Sequence, residues 1–100
     1  MPAQNDEASS GDEQLRHRQL AIEQAKESFQ RAMTAIHGGR RDWANEELDR
    51  VIADCAEVIR VDPKHAVAYQ LRARAYEHKG EDDKAEQDMA KARQLNAGGG

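Results

Sequence analysis

One hundred residues leave room for one small core, since a domain takes roughly 100–200 residues. Charged side chains make up 34% of the chain and aromatics 4%, a balance that suits long solvated helices better than a sheet of aromatic and β-branched residues. The net charge of −4 disfavours nucleic acid and anionic lipid as partners, and no apolar run approaches the roughly 18–20 residues of a membrane span.

Residues 1–11 are polar, small and acidic without apolar periodicity, so they are expected to form a disordered arm that cannot offset its ordering entropy. They also lack the positive start and apolar segment of a secretory leader, from which a cytoplasmic location is expected. Ser10 and Glu13 have the spacing of a capping box. From Leu15, apolar residues recur at Ile22, Ala25, Phe29, Ala32 and Ile36, which stack on one helical stripe. The first helix is therefore expected over about 12–37, ended by Gly38 and Gly39.

A second helix is expected over 42–61 with Asp42 as its N-cap. Leu48, Val51, Cys55 and Val58 form one stripe on it, and Ile52, Ala56 and Ile59 form another. Two stripes mean cover from two sides, so this is the central helix. Pro63 cannot continue a helix interior but suits a first turn, so the third helix is expected over 64–79 with Asp62 as cap. Gly80 stops it. The fourth, over 82–95, starts on Glu81, Asp82 and Asp83, whose charge suits a helix N-terminus, and carries Ala85, Met89, Ala92 and Leu95 as its stripe. The folded domain is thus all-α over 12–97, with 98–100 a frayed tail.

The segment "VIADCAEVIRVDP" at 51–63 lines up with "AEQDMAKARQLNA" at 85–97, an offset of 34 residues. Val51 pairs with Ala85, Cys55 with Met89, Val58 with Ala92 and Val61 with Leu95. Over 66–97 the chain reads Tyr69-x2-Arg72-Ala73-x2-Tyr76, a turn at Gly80, then Ala85-x3-Met89. In period and spacing this resembles the tetratricopeptide repeat, whose signature sets Trp-x2-Leu-Gly-x2-Tyr before Ala-x3-Phe and Pro. Arg72 stands where the family has Leu, its stem able to lie on apolar surface with its head in water, and Ala97 stands where it has Pro. Upstream the second half keeps register while the first has slipped. An offset of 47 sets Ile22, Ala25, Lys26 and Phe29 against Tyr69, Arg72, Ala73 and Tyr76. The resemblance thus covers one standard repeat over about 66–97 and one elongated repeat over 20–63, its tip built from Ala32 to Leu48.

What the resemblance implies is a short right-handed array of stacked hairpins. Helices 3 and 4 would pack on helix 2, around Phe29, Val51, Cys55, Tyr69, Tyr76 and Met89, with Ala73 and Ala85 at the closest backbone approaches. It further implies a protein-interaction module that takes a partner segment in a groove lined by the first helices of the repeats. On helix 3 that stripe is Val67, Gln70, Arg74, Glu77 and His78. The chaperone-tail version of the family uses a Lys, Asn and Arg clamp, and Gln70 and Arg74 stand where it has Lys and Asn, so no chaperone-tail binder is implied.

Other classes find less support. Cys55 is the single cysteine, which excludes an intrachain disulfide and a Cys-based zinc site, and its stripe makes it a core residue. His17, His37, His65 and His78 show no metal-ligand pairing, and no nucleophile, base and acid stand at recognisable spacing, so neither cofactor nor catalysis is expected. Two alternatives remain. One is a self-assembling subunit joined through the elongated tip, where Met33, Ile36 and Trp43 gather. The other is a small nucleic-acid-binding or regulatory domain using Arg40 and Arg41 beside Trp43.

Overall fold

The computed structural model describes the backbone of residues 2–98 and the side chains of residue 13 and residues 16–98. Over these residues the chain forms four helices: α1 Pro2–His37, α2 Arg41–Val61, α3 Ala66–Lys79 and α4 Asp82–Gly98. They make two antiparallel hairpins, α1 with α2 and α3 with α4, joined because α3 packs on α2.

Four boundaries differ from the sequence expectation. The arm expected to lack structure is helical from Pro2, and helix runs through Ser10, so no capping box forms there. Proline suits the first turn, where its missing N–H has no partner to lose, and Gly11 costs only about 1 kcal/mol in a helix interior. At α2, the N-cap is Arg40, without a side-chain hydrogen bond, and Asp42 falls inside the first turn. There its charge meets the positive end of the helix dipole rather than closing a cap. Asp62 likewise does not cap α3. It closes α2, its N–H donating to the Val58 carbonyl at 2.8 Å, while His65 caps α3 by accepting from the Ala68 N–H at 3.2 Å. The turn between them, with the His65 N–H donating to the Asp62 carbonyl at 3.1 Å, delays α3 by two residues. At the other end α4 remains helical to Gly98, and residues 99–100 lie outside the described residues.

Both hairpin turns rest on glycine in the left-handed region, Gly39 at φ 77° and Gly80 at φ 81°. Between the hairpins the core joins Ile22, Ala25 and Ala32 of α1, Leu48, Val51, Cys55 and Val58 of α2, and Ala68 and Ala75 of α3. Burying each of the larger aliphatics contributes roughly 1.5–3 kcal/mol. Ile52 and Ile59 pack against this core from the second stripe of α2, which is therefore covered on two sides. Of the six expected anchors, Val51, Cys55 and Tyr69 are buried, while Phe29, Tyr76 and Met89 are half-buried. Ala73 and Ala85 are buried, as close-approach positions should be. Burial also pushes the Cys55 thiol up to about 12, which keeps it protonated and inert.

Helix 4 departs from expectation. It packs on α3 and, among the described residues, makes no backbone approach to α2. The first hairpin is the longer one: α2 has 21 residues against 14 in α3. The end of α3 is tied to α2 at Lys79 with Asp49, and by the Arg41 guanidinium donating to the His78 carbonyl.

Candidate partner-binding surface

The His65 cap and the Gly80 turn fix where α3 begins and ends, and so which way each side chain points. Ala68 and Ala75 face α2 and are fully buried. Arg72 and Tyr76 turn toward α4, where they meet Asp88 and Lys84, while the Tyr69 hydroxyl donates to the Pro63 carbonyl at 3.0 Å. The remaining arc carries the five residues picked out from the sequence. Val67, Arg74 and Glu77 are exposed, and Gln70 and His78 are half-buried. All five share one side of α3 within three turns.

His78 serves packing as well as surface. Its ring stands edge-on to Phe29 of α1, centroids 5.7 Å apart and planes at 64°. That contact places α1 beside the arc, with Lys26 and Met33 flanking Phe29 on the same side at three and four residues' spacing. Between α1 and this arc, the Phe29 and His78 rings are the pair in direct contact among the described residues.

The two arginines of α3 differ sharply. The Arg72 Nε and Nη2 donate to the two Asp88 carboxylate oxygens at 2.6 and 2.8 Å. Its guanidinium also lies 5.8 Å from the Tyr69 ring and 5.9 Å from that of Tyr76. The expectation that its head sits in water is wrong: a carboxylate crosses the hairpin to meet it, and the two-pronged bond holds it between the rings. Arg74, two residues on, is exposed and has no carboxylate within ion-pair distance among the described residues. Its planar fork is left free to grip a carboxylate from outside.

The Arg72 pair has a counterpart that sequence reasoning missed. Arg31 Nε donates to Glu47 Oε2 at 3.1 Å across the first hairpin, and the Glu47 side chain is buried. Arg31 and Glu47 stand eight residues either side of Gly39, as Arg72 and Asp88 stand eight either side of Gly80. An arginine and an acid equidistant from a turn glycine is the signal that finds both.

Among the described residues, no group of three or more His, Cys, Asp or Glu is placed to hold a metal. Residues 55–87 match a family model described as tetratricopeptide repeat. No curated protein matches the chain. The solved structure titled "Second TPR of Spaghetti (RPAP3) bound to HSP90 peptide SRMEEVD" is similar over 86% of this chain and 97% of its own, at 18% identity and a TM-score of 0.47.

Proposed function

We propose that this chain, which carries a tetratricopeptide repeat at residues 55–87, is a protein-interaction adaptor that takes a segment of a partner protein in the trough between α1 and α3. The contact residues are Val67, Gln70, Arg74, Glu77 and His78. Arg74 is the observation that carries the reading. The fold pairs the guanidinium of Arg72 with a carboxylate and leaves that of Arg74 in solvent, where holding it without a carboxylate serves no packing need. A side-chain or terminal carboxylate of the partner, gripped by two parallel hydrogen bonds, fits that fork. Val67 and the Phe29 ring beside His78 supply apolar contact on either side. The module works in the cytoplasm, without a cofactor. No described helix is long and apolar enough to cross a membrane.

The test compares wild type with Arg74→Glu, first in capture of partners from the source cell, then in titration with the segment identified. The reversal is expected to weaken binding by about tenfold or more, since a charge-assisted fork contributes about 1.5–3 kcal/mol. The melting curve should stay unchanged, because the side chain is exposed. Equal capture by both proteins refutes the trough.

A further inference from the structure

Four large apolar side chains are exposed among the described residues: Leu20, Trp43, Val61 and Val67. Three of them share a surface that the α3 trough does not use. Leu20 and Val61, 56% and 43% exposed, line with Ala21 and Val58 an open groove at the base of the first hairpin. Trp43, 47% exposed, walls a second groove at its tip with Glu27, Arg31 and Thr34. Both grooves lie on one face. Leu20, Glu27 and Thr34 recur every seven residues along α1, and so do Glu47, Asp54 and Val61 along α2, beside the parallel row of Trp43, Arg50 and Glu57. α3 covers the opposite face, through Phe29 and Asp49.

This face is complementary to itself. Trp43 and Val61 each stand nine residues from Ile52, and Arg50 and Asp54 each stand two from it. A two-fold axis in the plane of the face, crossing α2 at the level of Ile52, sets α2 antiparallel to its copy. Trp43 of each chain then lies over Val61 of the other, and Arg50 over Asp54, so that every contact is made twice. We propose that this face binds a second copy of the chain, as an isologous antiparallel dimer with each Trp43 seated in the other copy's Leu20 and Val61 groove.

Charge and area both favour that occupant. Among the described residues Arg50 makes one ion pair, with Glu47 Oε1 at 3.9 Å, and the other Glu47 oxygen is held by Arg31. The Asp54 carboxyl is pushed above its ordinary range by burial, which Arg50 on the next turn offsets only in part. Each group thus lacks a full counter-charge that the other copy supplies. Two helices side by side, about 32 Å long and about 20 Å across, present roughly 600 Å² per copy. The total of about 1,200 Å² stands at the lower end of specific interfaces, so the dimer is concentration-dependent rather than obligate. It uses neither Arg74 nor the trough, and stands or falls apart from the adaptor reading.

Sedimentation equilibrium on the full chain, from roughly 5 μM to roughly 500 μM, tests the proposal. The mass is expected to rise from 11.2 kDa toward twice that value. Trp43 is the single tryptophan, and its emission should shift to the blue over the same range. Trp43→Ala should weaken association by about tenfold or more, as loss of a central tryptophan anchor does. Arg50→Asp and Asp54→Arg should each weaken it and their combination restore it, a recovery that a merely misfolded variant cannot show. Circular dichroism verifies that each variant is folded. A monomer mass throughout overturns the proposal. So does a dimer that keeps its strength in Trp43→Ala, and so does a double variant that fails to recover.

Discussion

Arg72 and Arg74 stand two residues apart on α3 and experience different surroundings. Arg72 is enclosed by Asp88 and two tyrosine rings, and the Asp88 side chain is only 9% exposed. Removing one partner leaves the other's charge buried and unpaired, so Arg72→Ala is expected to cost about 2–3 kcal/mol in urea denaturation, somewhat below a fully buried pair. Replacing both, with Arg72→Met and Asp88→Leu, should recover most of that loss. If Arg72→Ala melts like wild type, the pair has no part in holding α3 to α4. The sequence pattern assigned Arg72 to an apolar position of the repeat and set its head in water, the wrong direction. That direction depends on which residue of α4 arrives opposite, sixteen positions along the chain.

At the scale of elements, the existence of each helix was legible and the capping residues were not. Apolar spacing marks α2, α3 and α4 because each must bury a stripe. Asp42 and Asp62 were plausible caps two and three positions away from the residues that fill the role, Arg40 and His65. Cap geometry follows the path of the connecting turn, which local composition constrains only loosely. The glycine turns are firmer. Gly80 holds φ 81°, and no atom lies within 4 Å of a Cβ built there, so Gly80→Ala suffers backbone strain without a clash. It is expected to destabilise by about 1–2 kcal/mol, whereas Gly38→Ala, outside the left-handed region, should cost far less. Thermal melts of the two variants that coincide would contradict this account of the turns.

For the whole molecule, the order of contacts predicts how it comes apart. α1 packs on α2, α2 on α3 and α3 on α4, with only a short meeting of α1 and α3. Stability in such a row is a sum of neighbouring interfaces. A chain ended after Gly80 should therefore lose protection in α3, whose Arg72 and Tyr76 meet α4, while amides of α1 and α2 stay protected in hydrogen exchange. Exchange lost uniformly through α1 and α2 would show that the row is not serial. Its extents of 57 × 30 × 17 Å are those of an elongated body, with α1 as its longest element.

Charge, periodicity and the 34-residue offset by themselves determined an all-α chain of two unequal hairpins, the buried stripe through Val51 and Cys55, and the side of α3 left to solvent. These follow from local rules: a helix repeats every 3.6 residues, and an apolar stripe must be covered. Only the tertiary structure decided that α4 packs on α3 and, among the described residues, makes no backbone approach to α2, that Arg72 turns inward to Asp88, and that Arg31 and Glu47 repeat that pairing about the other turn. It also brought Leu20, Trp43 and Val61 onto one face. Such outcomes depend on which residues from distant parts of the chain arrive opposite one another, and the equal spacing about each turn glycine gains that meaning only once the hairpins are seen to close.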